Sequence, residues 1–191
     1  MLGRRPKSIQ KNSKELILGA AVTAFAKLGF YGTSIRSIAK TSGCKQPTIY
    51  HFFGNKENLF WVSLRVTHLT FKRRMLQQLQ NKSSLQEELV AIVNGILQIH
   101  EKEPQGINLL FKLIYTSPPD IQKKYAEQYA KDFEQIIERT FLRYQEKNGL
   151  KRSLFTHSLY SLVLQLSTVG SYQLQGHSVE EFIEYIVLRN E

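Results

Sequence analysis

The sequence predicts an all-α fold in which a three-helix head precedes a helical body. Apolar residues recur at helical spacing along most of the chain, and glycine, proline or serine interrupts the pattern at the predicted helix ends. No strand-like alternation of any length occurs in residues 85–191. The 191 residues, 42% hydrophobic and 22% charged, are typical of a soluble globular protein that buries a sizeable core.

The first helix of the head should begin at Asn12, which stands three residues before Glu15 as in a capping box. Gly29 should end this helix, because glycine adopts the left-handed conformation at little cost. A single apolar face is expected along it, made of Ile17, Ala21, Ala24, Phe25 and Leu28.

A helix-turn-helix follows within residues 33–56. Thr33 occupies the N-cap position of its first helix, and Gly43 ends that helix after an apolar face made of Ile35, Ile38 and Ala39. The second helix can start at Pro47, since proline is tolerated in a first turn. Ile49 and Phe53 then point inward. The outward face carries Gln46, Thr48, Tyr50 and His51, and such a polar helix fits the DNA major groove.

The positive charge of the chain is concentrated around this motif. Residues 1–74 hold 14 Lys and Arg against Glu15 and Glu57, whereas residues 75–191 hold 12 against 14 acidic residues. Charge alone fits a solvated basic surface equally well, but charge together with a helix-turn-helix indicates a nucleic-acid partner. Residues 1–11 are either a basic arm for a minor groove or a tail without a specific contact.

Residues 24–60 resemble the N-terminal DNA-binding domain of the TetR family of bacterial transcriptional regulators. The matching positions are Phe25, Gly29, Thr33, Ile38-Ala39, Gly43, Ile49-Tyr50, Phe53, Lys56-Glu57 and Leu59. The resemblance covers about a quarter of the chain, and the rest agrees only in length and helical character. It implies a DNA-binding head at residues 1–54 and a ligand-binding and dimerisation body at residues 55–191.

The predicted DNA contacts follow from position in the motif. Thr33 and Lys56 lie at helix starts, and Asn55 is the expected N-cap of the helix that Lys56 opens. At such a start, a hydroxyl or amine and the free backbone N–H groups can bind the same phosphate. Arg36 can reach a phosphate or a base edge, and by resemblance Tyr50 bonds a phosphate, with His51 beside it. The residues nearest the base edges are Lys45, Gln46 and Thr48.

Two positions depart from the family pattern, and a third invites a separate interpretation. Lys45 replaces a small hydroxyl residue, which puts capping of the recognition helix in doubt, and Phe52 replaces a frequent histidine. Both changes argue against transferring a relative's target sequence. Cys44 is interpreted as a small core residue rather than a redox sensor.

The body is predicted to contain helices only. A helix over residues 55–80 links it to the head, with an apolar stripe expected at Leu59, Val62, Val66, Leu69 and Met75. A polar break at residues 81–84 is the expected boundary. The remaining helices are expected at residues 89–100, 106–115, from 119 to about 147, 153–175 and from 178, where Ser178 and Glu181 form a capping box.

The last two helices, about residues 153–189, carry an excess of apolar surface, which predicts a homodimer interface; the alternative is a monomer core. A ligand pocket is expected at His100, Phe111, Tyr115, Tyr129 and Phe133. The sequence has no phosphate-binding glycine loop, nucleophile elbow or metal-ligand spacing, so we expect no enzyme activity, cofactor or metal. One cysteine and no apolar run of about 20 residues favour a cytoplasmic protein without a membrane span.

These observations predict a homodimeric transcriptional repressor that binds palindromic double-stranded DNA and is released by a small-molecule effector. The alternative is a DNA-bound protein that recruits or blocks a protein partner and needs no ligand. The two share the same head, so only the body distinguishes them.

Overall fold

The computed structural model describes residues 7–148 together with residues 178, 179, 181 and 183. Within these, the side chains of residues 7–11, 111, 114, 115, 130, 133, 134, 137, 141 and 144–148 lie outside the description. The described elements are all helical, which confirms the all-α class: α1 (Lys7–Gly32), α2 (Ile35–Ser42), α3 (Gln46–Phe53), α4 (Lys56–Gln78), α5 (Leu85–Lys102), α6 (Pro104–Thr116), α7 (Pro119–Tyr125), a π-helical turn (Ala126–Ala130) and α8 (Lys131–Asn148).

Helix α1 is longer than predicted. It already runs from Lys7, so the prediction that Asn12 caps it was wrong: Asn12 lies inside the helix. The chain bends at Gly29 (φ 69°, ψ −178°), as expected for a glycine that interrupts a helix, and resumes helical conformation up to Gly32. The expected apolar face is buried in part, because Ile17, Ala21 and Phe25 are inaccessible while Leu28 is 56% exposed.

One described stretch, Asn12–Gly32, is long and apolar enough to cross a bilayer by length and composition alone. A core helix of a soluble protein meets the same test. Of the most apolar part of this stretch, 28% is buried, and Ile17, Ala21 and Phe25 pack in the apolar core that α1 shares with the other helices of the head.

The N-cap of α2 is Ser34, not Thr33 as predicted. The Ser34 hydroxyl accepts a hydrogen bond from the Ser37 N–H (3.0 Å), and the Ser37 hydroxyl accepts one from the Ser34 N–H (3.3 Å). Gly43 ends α2 in the left-handed conformation (φ 67°, ψ 10°), as expected. Helix α3 begins at Gln46 with Lys45 as an N-cap that makes no side-chain hydrogen bond, because a lysine side chain has no acceptor.

Helix α3 is joined to α4 by a tight, well-bonded turn. The Gly54 N–H donates to the Tyr50 carbonyl (2.8 Å), and the Asn55 side chain caps α4 by accepting from the Asn58 N–H (2.7 Å), as predicted. The Asn58 amide also donates to the Phe53 carbonyl (2.8 Å). The last of these bonds joins α4 to the C-terminal residue of α3.

The buried face of α4 differs from the predicted stripe. Leu59 and Met75 are buried as expected, but Val66 and Leu69 are 43% and 47% exposed. The residues that face inward are spaced by three or four positions and include a histidine, which an aliphatic pattern does not reveal. They are Phe60, Leu64, His68, Phe71 and Met75.

The buried apolar residues form two clusters that meet along α4. The head core joins α1, α2 and α3 to the first half of α4 and to α6, through residues such as Phe25, Ile38, Ile49, Leu64 and Leu113. The body core joins the second half of α4 to α5 and α8, through residues such as Phe71, Met75, Leu89, Ile96 and Ile136. His68 lies between Leu64 and Phe71, at the level where the two cores meet.

The body follows the expected helical order with one interruption. The break at residues 81–84 is present, and Ser84 caps α5 through the Glu87 N–H (3.1 Å). The helix expected from residue 119 to about 147 contains the π-helical turn Ala126–Ala130. The Ser178–Glu181 capping box is confirmed by two hydrogen bonds (2.9 and 3.0 Å), and Ile183 is buried in the body core. The predicted dimer helix at residues 153–175 lies outside the described residues.

Candidate nucleic-acid interface

The outer face of α2 and α3 is polar and basic, and it is supported from behind by buried apolar side chains. Ile38, Ile49 and Phe53 are at most 2% exposed, so the opposite sides of both helices must face solvent. The exposed side chains on this surface are Arg36, Lys40, Lys45, Gln46, Tyr50 and His51. The arrangement places five of the eight predicted DNA contacts on one accessible surface, namely Arg36, Lys45, Gln46, Tyr50 and His51.

Thr33 and Thr48 are less accessible than predicted. Thr33 is 2% exposed, and its hydroxyl donates to the Gly29 carbonyl (2.7 Å), so this hydroxyl stabilises the bend after α1. The exposed Ser34, which the sequence reasoning missed, offers the helix N-terminus instead; the Ser34-x-x-Ser37 spacing was the available signal. Thr48 is half-buried.

Lys56 is held at the start of α4 by an aromatic ring. Its Nζ lies 4.5 Å from the centroid of the Phe30 ring, and the Lys56 side chain is half-buried. Lys56 is also the first residue of α4, whose N-terminus carries the positive end of the helix dipole. The contribution of Phe30 is visible only in the structure, since Phe30 follows the bend at Gly29 in the last residues of α1.

The two departures from the family pattern have different consequences. The Phe52 ring is half-buried against the head core and lies 5.4 Å from the His51 ring, so it serves packing. Lys45 stays exposed at the N-terminus of α3. Cys44 also packs against the head core, and its N–H donates to the Ser42 hydroxyl (3.3 Å), in agreement with its interpretation as a small core residue.

The predicted ligand pocket is only partly described. His100 is half-buried, and its Nδ1 is buried without a hydrogen-bond partner in the described part of the chain. The Tyr129 ring packs against the His68 ring, with the two ring centroids 4.8 Å apart. The side chains of Phe111, Tyr115 and Phe133 lie outside the described residues.

A buried polar cluster, which sequence reasoning missed, connects α4 to α7 and α8. His68 has no exposed side-chain surface; its Nδ1 lies 2.9 Å from the Tyr125 hydroxyl and its Nε2 lies 3.0 Å from Asp132 Oδ2. Because a carboxylate can only accept, Nε2–H donates to Asp132 and the Tyr125 hydroxyl donates to Nδ1. Lys72 binds the other Asp132 oxygen at 2.8 Å. We call these four residues the His68 cluster.

Burial lowers the pKa of His68 below its ordinary value of 6.5, although the hydrogen bond to the Asp132 carboxylate opposes this shift. The hydrogen bond from Lys72 in turn holds the pKa of Asp132 below its ordinary value of 3.8. The cluster therefore contains a neutral histidine and an ionised aspartate at neutral pH. It is adjacent to the π-helical turn, a feature that often occurs at functional sites.

Comparison with known proteins gives a family match within the N-terminal part of the chain. A family model described as bacterial regulatory proteins of the tetR family matches residues 17–61. The fatty acid metabolism regulator protein of Bacillus subtilis (strain 168) is 30% identical over 94 residues, which cover 49% of this chain and 45% of that protein. The chain thus spans less than half the length of this curated relative.

Similarity of fold extends over the whole chain. The crystal structure of a TetR-like transcriptional regulator from Rhodococcus sp. RHA1 matches with a TM-score of 0.73 at 21% identity, covering 98% of both chains. The structure of the transcriptional regulator FadR from Bacillus subtilis in complex with stearoyl-CoA also gives 0.73, at 19% identity, covering 92% of this chain and 96% of that one. The N-terminal part of this chain, residues 17–61, thus matches the tetR family of bacterial regulatory proteins, and beyond it the chain is similar to TetR-like regulators in fold.

Proposed function

We propose that the chain is a cytoplasmic transcriptional regulator, and more specifically a repressor that binds a palindromic operator as a homodimer. The observation that carries this proposal is the exposed basic and polar face of α2 and α3, supported by the buried side chains of Ile38, Ile49 and Phe53. A short helix with such a face fits the DNA major groove. The helix N-termini and Lys56 provide phosphate contacts that fix its position.

The proposed division of the chain places the DNA-binding domain at residues 1–54 and the dimerisation and effector domain at residues 55–191. The dimer would use the helices at about residues 153–189, in a two-fold symmetric contact. Two heads held by such a dimer read half-sites about one helical turn, roughly 34 Å, apart. Because α3 is bonded to α4, the separation of the two α3 helices depends on the orientation of α4.

Release by a small-molecule effector is the proposed mechanism of regulation. A ligand that binds the dimer with splayed heads more tightly shifts the population away from the DNA-binding state. A shift from almost fully bound to almost fully released requires a difference of about 5.5 kcal/mol between the two states. The similar FadR structure contains stearoyl-CoA, which is one precedent in this fold for a small-molecule ligand.

The second candidate function is that of a DNA-bound protein that recruits or blocks a protein partner without a ligand. This candidate and the effector-released repressor would use the same DNA-binding head. A metabolite pool that leaves the protein–DNA complex intact would favour this candidate over the effector-released repressor.

The proposed function is tested by selecting duplexes from a random DNA pool with the full-length protein. We expect a two-fold symmetric sequence with half-sites about 10 base pairs apart, bound as a dimer. Recovery of no preferred sequence would contradict specific binding, and a single asymmetric half-site bound by a monomer would contradict the dimer.

Lys56→Ala and Tyr50→Ala should weaken binding to every DNA sequence alike, because both side chains are proposed to contact phosphates. Lys56→Ala should also reduce the slope of log affinity against log salt by about one unit, as one cation fewer displaces counterions. Titrations of selected and unrelated duplexes at several salt concentrations measure both effects. Lys27→Ala on α1 is the control, since Lys27 is an exposed lysine outside the proposed interface. An equal reduction of the slope by this control would contradict the assignment of Lys56.

A further inference from the structure

A groove with a volume of about 510 Å³ lies where α1, α4 and the α5–α6 turn meet. We call it the head–body groove, because α1 belongs to the DNA-binding domain while the α5–α6 turn belongs to the body. Its volume lies within the range of about 300–1,000 Å³ that is usual for small-molecule sites. Its position differs from the pocket expected around Tyr129, which does not line it.

The groove follows the line where the two hydrophobic cores meet. On one side it is lined by Leu18 and Val22 of α1, which pack against the head core, and on the other by Phe71, Ile99 and Ile107 of the body core. A molecule in this groove therefore contacts both cores at once. Its binding must depend on the angle between them, and that angle determines the position of α3 relative to the body.

Two lining positions leave open apolar space that packing does not explain. Gly19 lies inside α1, where glycine costs about 1 kcal/mol relative to alanine, yet an added Cβ would meet no atom within 4 Å. Val66 of α4 is 43% exposed at the same groove. Close packing therefore does not require glycine at position 19. A larger side chain there would take up groove volume.

Contacts within the chain order the opposite wall. Arg74 of α4 binds Glu103, the only residue between α5 and α6, at 2.5 Å. At Gly106, in the first turn of α6, a Cβ would approach the Thr67 methyl group to 3.2 Å, so this turn packs closely on α4. The groove is thus preformed, which lowers the cost of ordering it on binding.

The lining of the groove favours a ligand without net charge. Glu15 and Lys102 contribute one charge of each sign, and the Glu103 carboxylate is already neutralised by Arg74. A charged ligand would thus meet one attractive and one repulsive lining charge. Most of the surface is apolar, and the hydroxyls of Thr23, Thr67 and Thr70 add neutral hydrogen-bonding groups.

We propose that the head–body groove binds a neutral, mainly apolar small molecule and that this binding is coupled to DNA binding. The inference rests on the proposed function and adds to it a site and a ligand class. Coupling is reciprocal, so ligand and DNA change each other's affinity by the same factor.

The test uses the full-length protein and the neutral fluorescent probe N-phenyl-1-naphthylamine. We expect the probe to bind the wild type saturably. It should bind Gly19→Leu at least about tenfold more weakly, because the leucine side chain occupies the groove. Gly19→Ala, which also improves helix propensity, should bind within about twofold of the wild type. Helicity and thermal unfolding establish that both variants are folded.

A second pair of variants avoids the helix interior of α1. Val66→Glu places a charge in the groove and should weaken probe binding. Leu69→Glu is the matched control, since Leu69 is 47% exposed on the same helix but does not line the groove. Absence of saturable binding, or equal binding by the wild type, Gly19→Leu and Val66→Glu, would overturn the proposal.

A DNA measurement separates this inference from the proposed function. Saturating probe should change the affinity of the wild type for its selected duplex, while Val66→Glu should bind the duplex but not respond to the probe. Normal DNA binding with no effect of the probe overturns the coupling alone. Failure of the wild type to select any DNA overturns the proposed function.

Discussion

Phe25→Ala should lower the free energy of unfolding by about 3–5 kcal/mol, the usual cost of removing a fully buried aromatic side chain. Phe25 has no exposed surface; its ring meets that of Phe60 edge to face at a centroid distance of 5.0 Å and stacks with that of Phe30 at 6.4 Å. A domain is commonly stable by only about 5–15 kcal/mol. The variant should therefore populate an unfolded head at 37 °C and lose DNA binding. Urea unfolding monitored by circular dichroism measures the change.

Leu28→Ala provides the control for this variant. Leu28 lies three residues further along α1 but is 56% exposed, so its truncation should change stability by no more than about 0.5 kcal/mol. Equal losses for Phe25→Ala and Leu28→Ala would contradict the buried face assigned to α1.

Asp132→Ala should lower the free energy of unfolding by about 1.5–3 kcal/mol. The variant removes the charged acceptor of the buried His68 Nε2–H and leaves that group without this hydrogen bond. Lys72→Met removes only the second, half-exposed partner of Asp132 and should cost no more than about 1 kcal/mol. Because Asp132→Ala also removes the ion pair with Lys72, equal losses for the two variants would show that the ion pair, not the histidine bond, stabilises the His68 cluster.

The same cluster gives stability a definite dependence on pH. Above the ordinary pKa of 6.5, His68 is neutral in both the native and the unfolded protein, so its titration does not change the free energy of unfolding. As the pH falls below 6.5, His68 takes up a proton in the unfolded chain, whereas burial keeps it neutral in the native state. The free energy of unfolding therefore decreases by up to about 1.4 kcal/mol per pH unit. This decrease ends near the lowered pKa of the native state. His68→Leu should flatten the profile in this window, and an unchanged slope would contradict the lowered pKa.

The sequence predicted the parts of the head that follow local rules. The left-handed end of α2 at Gly43, the Asn55 cap of α4 and the inward direction of Ile49 and Phe53 depend only on neighbouring residues and helical spacing. The Ser178–Glu181 capping box was predicted for the same reason. Where Thr33 and Ser34 are adjacent candidates for one N-cap, local rules do not decide between them. Ser34 is the N-cap here, because the Thr33 hydroxyl donates to the Gly29 carbonyl at the bend and is not available to cap α2.

The rest depends on contacts between distant parts of the chain. His68 is separated by 57 residues from Tyr125 and by 64 from Asp132, so nothing near it in sequence shows that it belongs to the core. Once a histidine occupies the buried face of α4, Val66 and Leu69 fall on the exposed side, and an aliphatic stripe gives the wrong face. The groove beside Gly19 is likewise invisible in sequence, since its walls come from four helices, α1, α4, α5 and α6, and from Glu103 between the last two.

The central claim is that the exposed face of α3 reads DNA sequence, and Gln46→Ala tests it most directly. The affinities of wild type and variant are compared for the selected duplex and for duplexes that differ from it at single base pairs of a half-site. We predict that Gln46→Ala loses discrimination of about 1–3 kcal/mol at one or two positions and retains its affinity for unrelated DNA. A uniform loss at every sequence would contradict the proposed orientation of α3 in the major groove.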